Sequence, residues 1–278
     1  MTSLRTARSG LRVIQEGTGS DVLLIGGLAD DAAVWDAQIP ALIQRHRVTR
    51  YDARGVGGSP TPPGPYRLSE LVQDAVDVLD TAGVERAHVV GSSLGGAIAQ
   101  RLAIDHPGRV RTLVLSGSWA RADRAFRSLL SSWIWAAEQA GGVGELLQTV
   151  NRWAYGADAW NSGSVDEGIA QAAIAELRAG PHAWQSFREA FTWTAWAALE
   201  HDATAGLPGI EVPALLLVGA QDAILGERYS QELAQLLGGR LEVIPGSGHQ
   251  PFQERSIVFN GLLAGFFAVN EASEVLAA

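Results

Sequence analysis

Residues 91–96 read Gly-Ser-Ser-Leu-Gly-Gly, after the apolar pair Val89-Val90 and before a helical stretch. A serine hydroxyl is a weak nucleophile unless a base takes its proton. The frame Gly91-Ser92-Ser93-Leu94-Gly95 fits G-x-S-x-G and puts Ser93 at the centre of a strand-to-helix turn. A nucleophile on such a turn has a strained backbone, and its neighbours two places away must lack bulk for strand and helix to approach. Gly91, Gly95 and Gly96 meet that requirement. The helix start behind Ser93 presents unpaired N–H groups and a positive dipole end to a developing oxyanion. Leu94 N–H is therefore a candidate donor. The same six residues would also serve as a plain glycine turn, so the chemistry depends on a base and an acid that can reach Ser93.

Six histidines are available: His46, His88, His106, His182, His201 and His249. The chain has no cysteine, and all 21 of its basic residues are arginine. Thiolate nucleophiles, disulfides, thiolate metal sites and lysine Schiff bases are thereby excluded. His249 follows the predicted strand RLEVIPG, just past its carboxyl end, and Asp222 follows VPALLLVG in the same way. Small residues flank both (Gly219, Ala220, Gly246, Gly248), so the two loops can close over Ser93. A histidine works as the base when a carboxylate orients its other ring nitrogen. Asp222 is the leading acid, and Asp123, shortly after the strand 110–117, is the alternative. The other histidines are placed less well. His46 is read at the end of a helix and His106 before a proline, while His88 opens a strand at the end away from Ser93.

The elements that must position these groups follow from apolar periodicity. LRVIQEG (11–17) and DVLLIGG (21–27) read as two strands of a hairpin across Gly-Thr-Gly-Ser. Residues 35–47 read as a helix, 48–52 as a strand, and 53–66 as a loop rich in Gly and Pro. Residues 68–83 form an amphipathic helix with Ser69 as a possible cap and Gly83 at its end. Strands at 88–92 and 110–117 enclose a helix over 94–108. The alternation of strand and helix predicts an α/β fold, a mostly parallel sheet with helices on both faces. Residues 119–205 interrupt it with helices that hold eight of the nine tryptophans. Strands resume at 212–222 and 240–249, and a last helix runs to about Val269. The expected division is a core of 1–118 and 206–278 with a helical insertion over 119–205.

Composition narrows the class further. At 278 residues, 47% apolar and 18% charged, the chain can bury a large core. Its net charge of −9 speaks against nucleic acid or an anionic membrane as partner, since both attract basic patches. No apolar run reaches the roughly 20 residues that span a bilayer. The N-terminal residues lack the apolar core of a signal peptide, so a cytoplasmic location is expected.

Four segments, in order, resemble the α/β-hydrolase superfamily over essentially the whole chain. GSSLGG holds the turn, and YDARGVGGS (51–59) is similar to the Y-D-x-R-G-x-G-x-S loop of its lipase- and esterase-like branch. VGAQD and GSGHQPFQE look like its acid and histidine loops. The stretch 50–80 is similar to 3-oxoadipate enol-lactonases and related small esterases. The resemblance implies a second oxyanion donor on the loop after an early strand, which makes it Leu28 N–H. Here Gly26 stands where the family usually has histidine, and Asp30 and Asp31 follow, both expected to face solvent. It also implies that the insertion is a cap over the site. Its tryptophans would then help build an apolar pocket, with Trp119 the first candidate to line it.

These readings converge on acyl transfer to water from an ester or lactone of a small apolar molecule, by Ser93, His249 and Asp222. Thioesters and amides stay open as substrates, and no metal or organic cofactor is implied. The same fold also supports non-hydrolytic cyclases and C–C lyases, and ligand-binding proteins without turnover. The sequence leaves monomer and homodimer open.

Overall fold

In the computed structural model of the protein, residues 2–180 and 182–277 are described. Eight strands among them form one sheet: β1 (Ser3–Thr6), β2 (Arg12–Gly17), β3 (Ser20–Ile25), β4 (His46–Tyr51), β5 (Ala87–Ser92), β6 (Val110–Ser116), β7 (Ala214–Gly219) and β8 (Arg240–Ile244). Their order is β1-β2-β4-β3-β5-β6-β7-β8. β1 and β2 run antiparallel to their neighbours, and every pairing from β4 through β8 is parallel. All six residues of β5 and of β7 are buried, as a parallel strand covered on both faces requires.

The side chains alternate between two cores, one on each face of the sheet. Leu23 and Ile25 join the core beneath α2 (Leu68–Thr81) and α3 (Leu94–Asp105), which also contains Leu71 and Leu102. Val22 and Leu24 point the other way, into a core with Leu42 of α1 (Ile39–Leu42). Between β6 and β7 come α4 (Arg124–Gln139), α5 (Val143–Ala154), α6 (Ala157–Asn161), α7 (Ser164–Ala179) and α8 (Ala183–Leu199). The two ends of this helical stretch meet as Arg121 pairs with Asp202. After β7 follow α9 (Glu227–Leu237), α10 (Pro251–Glu254) and α11 (Ser256–Ala277), the last well beyond Val269. Phe252 of α10 and Phe259 and Phe267 of α11 join the second core.

Three local expectations fail for identifiable reasons. β2 and β3 are not a hairpin, because β2 pairs with β4 and β3 lies on the far side of β4. The run Val22-Leu23-Leu24-Ile25 is buried throughout, so it needs a central place between β4 and β5. Residues 35–47 do not form one helix. A 3-10 turn at Ala32–Trp35 and the single-turn α1 replace it, with Pro40 in the first turn of α1, where its missing N–H costs nothing. His46 accordingly opens β4 instead of ending a helix. Arg67, not Ser69, is the N-cap of α2, and its N–H donates to the Glu70 carboxylate at 2.8 Å.

The loop at 51–59 braces the sheet ends. Asp52 accepts hydrogen bonds from Ala32 N–H at 2.9 Å, Gly58 N–H at 2.8 Å and Arg12 Nη1 at 3.0 Å. Arg54 donates twice to Asp74 of α2, both at 2.7 Å. This loop therefore holds the chain after β3 and the loop 53–66 in place beside the candidate site.

Candidate active site

Ser93 sits between the end of β5 and the start of α3, with φ 52° and ψ −116°. An L-residue adopts that backbone only when its surroundings enforce it. The enforcement is visible. Ser93 N–H donates to Ser116 O at 2.8 Å, and Ser93 O accepts from Gly96 N–H at 2.9 Å. A Cβ on Gly95 would lie 2.2 Å from Ile25 O and 2.5 Å from Gly26 O, so α3 touches the chain leaving β3. Leu94 is the first residue of α3, where a helix has N–H groups without helical partners.

His249 and Asp222 meet from two different loops. His249 Nδ1 lies 2.8 Å from Asp222 Oδ2, and both side chains are buried. Asp222 Oδ1 accepts from Ile224 N–H at 2.9 Å and Leu225 N–H at 2.8 Å. An ionised carboxylate only accepts, so Nδ1 carries the proton and Nε2 is left as the basic nitrogen. Burial by itself would raise the Asp222 carboxyl, but the His249 charge, its hydrogen bond and the two N–H groups hold it below its ordinary value. For His249 burial pulls downward, and Asp222 outweighs it, so the imidazole lies above its ordinary value of 6.5. Asp123 is elsewhere: it caps α4 through Phe126 N–H and binds Tyr229 and Arg228.

Gly117 joins these parts, although sequence reading passed over it. It follows β6 directly after Ser116, the residue that holds Ser93 N–H. A Cβ there would stand 2.9 Å from His249 Nδ1 and 3.2 Å from Asp222 Oδ2, at φ 51°. Gly117→Ala is expected to displace the imidazole, lowering kcat by about 100-fold and stability by about 1–3 kcal/mol. Steady-state kinetics and urea denaturation of the variant check both.

The loop after β3 reaches the same place. A Cβ on Gly27 would lie 3.2 Å from Ser93 Cβ, and Leu28 follows it, half-buried against the core. That brings the loop carrying Leu28 close to Ser93. Asp30 and Asp31 do not simply face solvent. Both are half-buried; Asp30 Oδ2 accepts from Gly27 N–H at 2.9 Å, and Asp31 Oδ1 accepts from Ala33 N–H at 2.9 Å.

The model of the alpha/beta hydrolase fold family matches residues 22–256. The chain belongs to the α/β-hydrolase family. It is 35% identical over 259 residues to a protein of Azorhizobium caulinodans named "Putative carbamate hydrolase RutD", covering 90% of this chain and 92% of that one. The structure resembles a hydrolase from Pseudomonas aeruginosa with a TM-score of 0.83 and 29% identity, over 96% of this chain and 98% of that one. It also resembles the enol-lactonase of Burkholderia xenovorans, with a TM-score of 0.81 and 26% identity, over 96% of this chain and all (100%) of that one. The chain is thus an enzyme of the hydrolase class. No helix among the described residues is long and apolar enough to cross a membrane.

In this hydrolase an open cleft of about 1380 Å³ lies between the core loops and the helical stretch. Asp30, Asp31, Tyr155, Phe187 and Glu254 are among its walls. A narrow space of about 20 Å³, room for a single water, adjoins Gly27, Asp30, Leu94 and Phe191. No described tryptophan lines either space. Trp119 is 1% exposed and packs 4.6 Å from Phe126, inside the first core. Trp193 covers Gly64 and stands edge-on to Tyr66 at 5.3 Å, whereas Trp135 and Trp196 are exposed. Trp119 and Trp133 therefore pack into the first core, and Trp193 packs against the loop at Gly64.

Two further carboxylates bear on the site. Glu254 accepts from Gly248 N–H and from Gly156 N–H, each at 2.8 Å, stitching the histidine loop to the end of α5. His249 N–H completes the stitch by donating to Ala154 O at 2.8 Å. The second is Asp30, whose carboxyl burial pushes up to about 6 despite Gly27 N–H and the nearby His249. Glu254 lies within the histidine-loop motif and was legible as part of it. In sequence the pair Asp30-Asp31 shows negative charge beside the oxyanion loop, able to weaken an oxyanion or read a cationic group, but does not show which of the two turns inward.

Proposed function

We propose that this enzyme is a serine hydrolase that cleaves a small ester, lactone or carbamate through an acyl-enzyme on Ser93. The observation that carries the reading is His249 Nδ1 at 2.8 Å from Asp222 Oδ2, one residue contact away from the strained Ser93 turn through Gly117. The Ser93 hydroxyl attacks the carbonyl carbon as its proton passes to His249 Nε2. The carbon–leaving-group bond then breaks, and His249 returns the proton to the leaving atom. Water repeats the sequence in reverse roles and frees Ser93. Leu28 and Leu94 N–H groups bind the tetrahedral oxyanion, a contribution of about 3–4 kcal/mol for each donor. Lactone chemistry is favoured by the likeness to an enol-lactonase. Carbamate chemistry is favoured by the name of the relative at 35% identity. Asp222 rather than Asp123 is the acid, and the substrate is a small molecule entering the open cleft.

Intact-mass analysis after treatment with a fluorophosphonate tests the reading. One covalent adduct is expected on the native chain and none on Ser93→Ala. A folded native chain that takes no adduct would overturn it.

A further inference from the structure

We propose that Asp30 determines specificity: its carboxylate accepts a hydrogen bond from an N–H or ammonium group borne next to the reacting carbonyl. The enzyme then favours carbamoyl or amino-acyl substrates over plain esters of the same shape. This deepens the serine-hydrolase reading above and rests on it.

Position carries the proposal. The point where a Gly27 Cβ would stand lies 3.0 Å from Asp30 Oδ2 and 3.2 Å from Ser93 Cβ, so carboxylate and nucleophile are near neighbours. Asp30 also lines both the open cleft and the narrow space beside Leu94. An acyl group on Ser93 that extends past Gly27 into either space comes within reach of it.

Charge gives the position its meaning. A carboxylate beside a developing oxyanion opposes it, unless the substrate brings a donor to face the carboxylate. The arginines that line these spaces are otherwise engaged: Arg54 by Asp74 at 2.7 Å and Arg255 by Asp158 at 2.7 Å. The hydrogen bond that Asp30 accepts comes from the neutral Gly27 N–H, and an ionised carboxylate has capacity for several. Burial raises its carboxyl only to about 6, so it remains mostly ionised at neutral pH. A plain ester would leave that charge facing apolar carbon. An N–H at the same place gives it a charge-assisted partner.

Asp30 also has a structural role, since it braces Gly27. Asp30→Asn separates the two roles, because the amide oxygen can still accept from Gly27 N–H while the charge is gone. The probes are 4-nitrophenyl N-methylcarbamate and 4-nitrophenyl propionate, which differ only by N–H in place of CH₂ beside the carbonyl. In each, Ser93 Oγ bonds to the carbonyl carbon, its proton goes to His249, and nitrophenolate leaves with the bonding electrons. The acylation rate is read as the burst of nitrophenolate, so slow deacylation does not matter. Asp30→Asn is expected to slow acylation by the carbamate about 10- to 100-fold and to leave the propionate unchanged or faster. Equal changes for both probes, no change for either, or a native enzyme that the carbamate does not acylate would overturn the proposal. Fluorophosphonate labelling of Asp30→Asn runs in parallel. Its loss from both native and variant chains would mean instead that the serine-hydrolase reading has failed.

Discussion

Replacing Ser93 with alanine is expected to lower kcat on an activated ester by about 10⁶-fold. On the triad reading the base and its acid lose their function together once Ser93 has no hydroxyl, so this single loss approaches that of removing the whole triad. The oxyanion donors can still assist attack by water. Ser93→Gly should abolish turnover equally and behave differently in stability. Ser93 is held at φ 52° and ψ −116°, a backbone that costs a side-chain-bearing residue about 1–3 kcal/mol. Glycine relieves that strain and gives back about 0.5–1 kcal/mol through its freer unfolded chain. The expected outcome is a melting temperature at or above that of the native chain for Ser93→Gly, and no such gain for Ser93→Ala. Calorimetry beside burst kinetics reads both. A Ser93→Gly variant that keeps turnover would show that the chemistry does not pass through this hydroxyl.

The second large effect belongs to Asp222→Asn, with an expected fall in kcat of about 10⁴-fold. An asparagine can donate to Nδ1 and so stabilise the wrong tautomer, with the proton on Nε2. It also removes the charge that favours the imidazolium formed during attack. The pH profile distinguishes this from simple misfolding. His249 must be neutral to act as base, so activity rises with pH through the His249 pKa. In the native enzyme Asp222 holds that value above 6.5 against the opposing effect of burial. The acidic limb of kcat/KM should therefore fall above 6.5 in the native enzyme and move to lower pH in Asp222→Asn, where burial acts with less opposition. The same pair contributes to folding stability in a defined window. Asp222, held below 3.8, contributes above its unfolded value and loses this as pH falls. His249, held above 6.5, contributes below its unfolded value and loses this as pH rises through the folded one.

The sequence by itself determined the parts of this site that depend on neighbours along the chain. Ser93 and Asp222 each follow the carboxyl end of a fully buried strand, legible from unbroken runs such as Leu215-Leu216-Leu217-Val218, and His249 follows the more exposed edge strand β8. Parallel strands bring their carboxyl ends to one edge, so three separate loops converge without further information. The absence of cysteine and lysine excluded rival nucleophiles just as directly. What lay outside this reach was decided by distance in space. Whether β2 pairs with β3 or with β4 depends on which strand must be buried on both faces, a property of the whole sheet. Apolar residues of a helical layer can pack inward or line a cavity at equal local cost, and Trp119 packs inward because Phe126 and His201 lie there. Asp30 reads in sequence as one of two surface charges. Only the fold brings it close to Ser93 and His249, where the loss of water raises its carboxyl while Gly27 N–H and His249 oppose the rise.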